Sequence, residues 1–276
     1  MDELKGKVAL VTGNSKGIGP FISRTLAKEG VTIVGVARSK EGLRKTQDGI
    51  RAQGGMCHSI PFDLTRLQDL PDLIAQVNSL AGGIDILINN AGIEAYRKYV
   101  DNSHGDVSSI LTLNLHVPME LTRIVLPSLL EKGGHIVNIA SLAGKKGVIF
   151  NSVYSASKSG LITWTDAMAQ ELRGTGVGIS VICPGYIREV GMFADAHLKP
   201  PLLLGTSSPQ AVADAVLRAI REGTPEIIVN PGPMRPLLAL GQLAPSFGNT
   251  VVKWLGVVKL NKKRVEMQQD HETKGS

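Results

Sequence analysis

The chain has 276 residues, 43% of them hydrophobic, and no low-complexity segment divides it, so we expect a single domain over residues 1–276. Its net charge of +6 favours anionic partners, but the basic residues are spread along the chain, which suits a nucleotide as well as a nucleic acid. Two cysteines without metal-ligand spacing argue against a disulfide framework. The polar N-terminus leaves no room for a signal peptide, and no apolar run is long enough to span a membrane. We therefore expect a cytoplasmic protein without a nucleic acid partner.

A glycine-rich loop follows the first predicted strand, at about residues 7–12, and leads into a helical pattern. Backbone N–H groups at a helix start bind a diphosphate only where side chains leave room for it. We assign Gly13 to the tight turn, Gly17 to the close approach of the phosphates and Gly19 to the packing of helix on strand. Ser15, Lys16 and Ile18 complete the predicted phosphate loop. A tight turn without a ligand would have the same spacing.

The second strand, at residues 31–37, is apolar throughout and ends at Arg38 and Ser39. A ribose with a free 2′-hydroxyl is usually held by an acid at this position, and the chain has none there. Arg38 together with Lys16 would suit a 2′-phosphate, because two cations would then face a dianion. Two solvated surface cations are the alternative. The pattern favours NADP over NAD.

The next two strands are predicted at residues 57–62 and 84–89, each followed by polar or small residues. Asp63, followed by Leu64, would either bind an adenine amino group or cap the next helix. The turn at residues 90–92 (Asn-Ala-Gly) lies where small residues let a cofactor approach the backbone, although an Asx turn ending a strand would look the same. Both turns are expected at the carboxyl edge of the sheet.

Four polar side chains stand out in the middle of the chain. Asn114 lies within a predicted long helix, where asparagine lowers helix propensity and is either exposed or part of a site. Ser141 follows a strand predicted at residues 134–140. Tyr154 and Lys158 are four residues apart near the start of a predicted helix, so they share one helical face.

The remaining strands are predicted at residues 178–183, before Pro184, and at 226–230. A helix over 209–222, with Ser208 as its candidate N-cap, lies between them. The regular alternation predicts an α/β protein with a Rossmann-type, doubly wound parallel sheet and helices on both faces, in three α/β/α layers.

Two segments do not follow this alternation. Residues 188–208 are rich in leucine and proline and suit a mobile substrate lid. The C-terminal extension, residues 231–264, has two apolar stretches and a basic end. It would either lie on an anionic membrane surface or pack as helices on the substrate pocket or a neighbouring subunit. Residues 265–276 are polar, and we expect them to be disordered.

Together these features resemble the short-chain dehydrogenase/reductase family over residues 5 to about 230. The matching motifs occur in order as residues 12–19 (Thr-Gly-Asn-Ser-Lys-Gly-Ile-Gly), 89–92 (Asn-Asn-Ala-Gly), Asn114, Ser141, Tyr154-x-x-x-Lys158 and Pro184-Gly185. The resemblance implies an NADP-preferring carbonyl reductase and a homodimer or homotetramer.

The resemblance also implies catalytic roles, with no metal required. Tyr154 would be the general acid/base, and a phenol with a pKa of about 10 must be tuned for that role. Lys158 would favour the phenolate by its charge and hold the nicotinamide ribose. Ser141 would hydrogen-bond the carbonyl oxygen, and Asn114 would support a water chain that replenishes the proton.

The implied cofactor site draws on most of the motifs. It comprises Gly13, Ser15, Lys16, Gly17, Ile18, Gly19, Arg38, Ser39, Asp63, Leu64, Asn90, Ala91, Gly92, Tyr154, Lys158, Pro184, Gly185 and Ile187. One position departs from the family, which commonly places a threonine four residues after the glycine of Pro184-Gly185 to bind the carboxamide. Glu189 stands there instead, which leaves that contact to backbone groups at Ile187.

The leading hypothesis is a cytosolic NADP-dependent carbonyl reductase or alcohol dehydrogenase. Apolar lid residues favour a hydrophobic ketone, aldehyde or secondary alcohol as substrate, although they would also serve to cover the core. These residues are Met192, Phe193, Leu198, Leu202, Leu203 and Leu204. The alternative is a non-catalytic NADP-sensing or binding module on the same fold, for which Glu189 is the support. Peripheral membrane contact through the C-terminal extension is compatible with either.

Overall fold

The computed structural model describes residues 3–194, 205–232 and 234–274, with side chains described as far as residue 268. Its strands form one sheet of seven, in the order β3-β2-β1-β4-β5-β6-β7, and every adjacent pair is parallel. They are β1 (Val8–Thr12), β2 (Thr32–Ala37), β3 (Cys57–Pro61), β4 (Ile86–Asn89), β5 (Gly134–Ile139), β6 (Val177–Pro184) and β7 (Glu226–Val229). The strand order reverses between β1 and β4, which is where sheets of this type bind ligands.

Helices cover both faces of the sheet, so the predicted three-layer Rossmann-type fold is confirmed. They are α1 (Gly19–Lys28), α2 (Lys40–Arg51), α3 (Leu70–Ala81), α4 (His104–Leu111), α5 (Val117–Lys132), α6 (Ser152–Glu171), α7 (Pro209–Glu222), α8 (Met234–Leu243), α9 (Pro245–Trp254) and α10 (Val257–Lys274). Ile22 of α1 and Val212 of α7 belong to the core cluster on one face. Leu73 of α3 and Leu121 of α5 belong to the cluster on the other face.

The helix predicted around Asn114 is interrupted. Helices α4 and α5 are joined by a widened π-helical turn, Thr112–His116, which carries Asn114. The prediction of one continuous helix missed this turn because local propensity does not report the tertiary bonds that Asn114 makes. Such turns often occur at functional sites.

The predicted lid is described only in part. Ile187 and Ser207 form an isolated parallel bridge, and the Arg188 N–H donates to the Ser207 carbonyl at 3.1 Å, so the two ends of the lid lie together. Leu198, Leu202, Leu203 and Leu204 lie outside the described residues. Ser208 caps α7 as predicted, accepting a hydrogen bond from the Ala211 N–H at 3.1 Å.

The C-terminal extension forms three helices, α8 to α10. Helices α8 and α9 approach closely through two glycines, since a Cβ on Gly248 would lie only 2.8 Å from the Gly241 Cα. Helix α10 continues to Lys274, whereas the polar sequence after residue 264 predicted disorder. Tertiary contacts explain the difference, because Val265 is buried and Gln268 accepts a hydrogen bond from the Tyr96 N–H at 2.9 Å. Among the described residues, no helix combines the length and apolarity needed to cross a membrane.

Candidate active site

A cavity of about 980 Å³ lies at the carboxyl end of the sheet, beside the β1–β4 switch point. Almost all the predicted site residues line it. The exceptions are Gly19 and Asn114, which lie behind the cavity wall. The structure therefore brings residues from both halves of the chain to one place.

The glycine loop forms one end of the cavity. Gly13 has a φ of +69°, and a Cβ there would lie 2.9 Å from the Ala91 Cα. A Cβ on Gly19 would lie 2.4 Å from the Gly13 carbonyl oxygen, so Gly19 packs the helix on the loop rather than facing a ligand. The assignments of Gly13 to a tight turn and Gly19 to packing agree with this geometry.

The turn after β4 is bound directly to the glycine loop. Thr12 Oγ1 accepts hydrogen bonds from the backbone N–H groups of Asn90 and Ala91, both at 3.0 Å. Asn90 Nδ2 donates in return to the Thr12 carbonyl at 2.9 Å. Thr12 belongs to the matching motif at residues 12–19, but its bonding role was not predicted, because its partners lie some 78 residues away in the chain.

Two cations and a carboxylate line the cavity at and near the glycine loop. Lys16 and Arg38 are both exposed and both line it. Asp63 Oδ1 accepts from the Thr65 N–H at 3.0 Å and hydroxyl at 2.8 Å, so it closes the turn after β3 while also lining the cavity. These bonds, and more weakly the charge of Arg38, lower the pKa of Asp63. Ser39 caps α2, accepting from the Gly42 N–H at 3.1 Å.

Tyr154, Lys158 and Ser141 lie together in the middle of the cavity. Tyr154 and Lys158 are one turn apart on α6, and both are buried. Lys158 Nζ lies 5.8 Å from the centre of the Tyr154 ring and donates to the Ile139 carbonyl at 2.7 Å. Ser141 Oγ accepts a hydrogen bond from the Ala143 N–H at 3.1 Å and lines the cavity together with Tyr154. The arrangement places a phenol, a hydroxyl and an ammonium group around one point.

Burial and nearby charges act strongly on these groups. Burial lowers the pKa of Lys158 to about 8. Burial, followed by the charge of Glu94, raises the pKa of Tyr154, while the hydrogen bond to Ser141 and the charge of Arg264 lower it. Glu94 and Arg264 therefore join Lys158 as charges to be considered around the phenol, and no motif pointed to them.

Asn114 holds the wall next to Tyr154. Its Oδ1 accepts from the Ile93 N–H at 2.9 Å, and its Nδ2 donates to the Ile93 carbonyl at 2.8 Å and to Ser157 Oγ at 3.1 Å. The side chain is fully buried. It fixes the loop that leads to Glu94 against helix α6.

Glu189 points away from the cavity. Its backbone is left-handed, with a φ of +75°, and its side chain is 58% exposed. The carboxylate pairs with Arg188 Nε at 2.8 Å. The neighbouring residues Ile187, Val190 and Gly191 line the cavity in its place.

The far end of the cavity is apolar and comes mainly from the C-terminal extension. The lining residues from α8 and α9 are Met234, Leu237, Leu238, Gly241, Phe247, Gly248, Val251 and Val252. Met192 and Phe193 of the predicted lid also line this cavity. The sequence showed two apolar stretches here, but periodicity alone left open which surface they would cover.

The fold and this cavity define a dinucleotide-binding protein of the Rossmann type. The family model described as short chain dehydrogenase matches residues 7–200. The ketoacyl reductase HetN of Nostoc sp. is 51% identical over 272 residues, covering 96% of this chain and 95% of that protein. The 3-oxoacyl-(acyl-carrier-protein) reductase FabG of Vibrio cholerae is 34% identical over 185 residues, covering 67% and 75%.

A crystal structure of a metagenomic short-chain oxidoreductase in complex with NADP is similar in both fold and sequence. It superposes with a TM-score of 0.72 at 32% identity, covering 84% of this chain and all of that one. The chain belongs to the short-chain dehydrogenase/reductase family. It is accordingly an NAD(P)-dependent oxidoreductase acting on CH–OH and carbonyl groups.

Proposed function

We propose that the protein is an NADPH-dependent reductase of ketoacyl or related carbonyl substrates that carry an apolar chain. The observation that carries the proposal is the position of Ser141, Tyr154 and Lys158 in one cavity with the glycine loop and an apolar chamber. The 51% identity to a ketoacyl reductase over nearly the whole chain supports the substrate class.

The polar end of the cavity fits a dinucleotide with a 2′-phosphate. Gly17 has a φ of +68° and lines the cavity with no side chain of its own, which leaves the backbone open to a diphosphate. Lys16 and Arg38 would hold the 2′-phosphate, and β2 ends in Ala37 rather than in the acid that would favour a free ribose hydroxyl. NADPH bound there would supply the hydride.

The central residues would handle the proton and the carbonyl oxygen. Tyr154 would donate its phenolic proton to that oxygen, and Ser141 would hydrogen-bond the same oxygen and hold it in place. Lys158 is anchored to the end of β5 through Ile139, so its charge is held near the phenol. Asn114 keeps the loop at Ile93 in register with these groups.

The chamber formed by α8 and α9 would take the apolar part of the substrate. Leu238, Val251 and Val252 line it with hydrocarbon, and burying one methylene group there would contribute roughly 0.8 kcal/mol. This arrangement favours the reading in which the C-terminal extension packs on the substrate pocket. It supports a hydrophobic carbonyl compound over a small polar one.

The test is NADPH oxidation, with NADH in parallel, over 3-ketoacyl thioesters of increasing chain length and a set of polar ketones. We expect turnover with NADPH that improves with chain length, and a loss of roughly 10²-fold to 10⁴-fold in Tyr154→Phe without loss of NADPH binding. Tyr99→Phe is the matched control, since that tyrosine is 69% exposed. A Tyr154→Phe protein that kept most of its turnover would refute the mechanism.

A non-catalytic NADP-sensing module remains the rival hypothesis. The support for it was Glu189, which stands where the family commonly has a threonine that binds the carboxamide. Because the Glu189 side chain is exposed and paired with Arg188, it gives no reason to expect weaker binding of the nicotinamide. Tight NADPH binding with no turnover across the whole substrate set would favour it over the reductase.

A further inference from the structure

A buried ion pair joins the C-terminal helix to the active site. Arg264 of α10 donates from Nη2 to Glu94 Oε1 at 2.6 Å, and the two side chains are only 6% and 12% exposed. Both line the cavity. Removing two charges from water is costly, so a pair this buried needs further partners.

Arg264 has those partners in separate segments of the chain. Its guanidinium lies 3.7 Å from the centre of the Tyr96 ring and 5.6 Å from that of Phe193, and Nη2 also donates to the Met192 carbonyl at 3.1 Å. Gln268, one turn further along α10, accepts from the Tyr96 N–H. One side chain therefore fastens the loop after β4 and the segment after β6 to the C-terminal helix.

Glu94 is held at its other oxygen as well. Asn151, three residues before Tyr154, donates from Nδ2 to Glu94 Oε2 at 3.1 Å. The carboxylate is thus fixed between α10 and the start of α6, and it lines the same cavity as Tyr154. An unneutralised charge at this point would oppose formation of a phenolate.

The polar groups around Tyr154 come from every side. Ser141 comes from the turn after β5, Lys158 from α6, Glu94 and Tyr96 from the loop after β4, and Arg264 from α10. Helix α4 packs against Tyr154 through the apolar side chains of Val107 and Ile110. Among these groups Glu94 is the acid, and Lys158 and Arg264 are the cationic side chains. Burial raises the pKa of Glu94, while the charge and hydrogen bond of Arg264 lower it.

We propose that Arg264 and Glu94 are positioning residues of the reductase: Arg264 neutralises Glu94 beside Tyr154, and the pair makes helix α10 a structural part of the substrate site. The proposal rests on Tyr154 being the acid/base. Glu94 raises the pKa of Tyr154 and Arg264 lowers it, in line with their charges. The opposing charges of Glu94 and Arg264 together then set the pH range in which the Tyr154 phenol ionises.

The test measures the pH profile of alcohol oxidation, in which Tyr154 must be ionised to act as the base. Glu94→Gln removes the negative charge that opposes phenolate formation. The rising part of the pH–rate profile, its ascending limb, should therefore move to lower pH by roughly 1 pH unit. Arg264→Met leaves Glu94 uncompensated and should move the limb to higher pH. The double variant should return the limb close to that of the wild type.

A purely structural role for the pair gives a different pattern. Activity would fall in each variant with the limb unmoved, and the double variant would be no better than Arg264→Met; either result overturns the proposal. Lys263→Met is the matched control, because it removes an exposed cation one residue away on the same helix. Should Arg264→Met fail to fold, a Glu94→Gln limb that coincides with the wild type still refutes the proposal.

A second readout separates this proposal from the proposed function. The ultraviolet difference absorbance of the phenolate, wild type against Tyr154→Phe, follows the ionisation of Tyr154 without any turnover. If the wild type turned over no substrate, the proposed function would fail. The titration in Glu94→Gln and Arg264→Met would still show whether the pair controls the ionisation of Tyr154.

Discussion

Lys16 and Arg38 belong to different loops, and they line the same cavity although both side chains are exposed. If they hold a 2′-phosphate, replacing both by alanine should raise the KM for NADPH about tenfold and leave the KM for NADH nearly unchanged. We expect no much larger increase in the KM for NADPH, because solvent screens ion pairs between exposed groups. Steady-state kinetics with both cofactors measure the ratio.

Lys40→Ala provides the control for this experiment. Lys40 is an exposed cation two residues after Arg38 and does not line the cavity. An unchanged ratio in the double variant, or the same change in Lys40→Ala, would contradict the NADP preference.

His135, far from the proposed chemistry, makes a prediction about stability. It is buried in β5, with Nε2 2.9 Å from Ser180 Oγ, and burial lowers its pKa from 6.5 to about 4. Between these values the unfolded chain binds a proton that the folded protein does not, so its contribution to stability is lost as pH falls from about 6.5 to 4. The loss amounts to about 3 kcal/mol.

Urea unfolding at neutral and acidic pH tests this contribution. His135→Gln retains a hydrogen-bonding side chain but cannot titrate, so its free energy of unfolding should fall less steeply than that of the wild type over the same pH range. Parallel curves for the two proteins would show that His135 does not account for the acid sensitivity.

Helices α8 and α9 make a prediction about substrate length. Val252→Trp should fill the chamber that Val252 lines, so turnover of long-chain ketoacyl thioesters should fall much more than that of the shortest one. Each methylene excluded from the chamber should cost about fourfold in kcat/KM. Leu243→Trp is the control, because Leu243 is 85% exposed on α8 and does not line the cavity. Equal losses at all chain lengths would refute the role of the chamber.

Element boundaries were largely predictable, and the exceptions have physical causes. The strand limits and those of the helix over 209–222 fall within two residues of the predicted ones, because hydrophobic periodicity and glycine positions are local signals. The π-helical turn at Asn114 and the order of α10 after residue 264 were not predictable. Both depend on bonds to residues distant in sequence, from Asn114 to Ile93 and from Gln268 to Tyr96.

For the molecule as a whole, we predict a homodimer or homotetramer, as the family resemblance implies. Several large apolar side chains on α8 and α9 are exposed in the single chain, including Leu243, Phe247 and Trp254, and contact with another subunit would cover such a surface. Analytical ultracentrifugation should give a mass two or four times that of the chain. A monomer at all protein concentrations would contradict the prediction.

The same surface allows a test of the membrane alternative at this scale. Trp254 is 77% exposed and precedes the basic residues of α10, so sedimentation with anionic vesicles at low salt would show peripheral binding. If the protein did not sediment with the vesicles, membrane binding would be excluded. Contact with another subunit would then be the remaining explanation for the exposed apolar side chains on α8 and α9.

The sequence by itself determined the parallel sheet, because strands and helices alternate along the chain. It also determined the glycine loop and the pairing of Tyr154 with Lys158, because each depends on spacing within one loop or one helix. Only the tertiary structure decided that Glu189 turns outward, that the C-terminal extension lines the cavity, and that Arg264 reaches Glu94. These are contacts between segments far apart in the chain, 170 residues apart in the last case. Periodicity in the sequence indicates which face of a helix is apolar, but the surface on which that face packs depends on how the elements assemble.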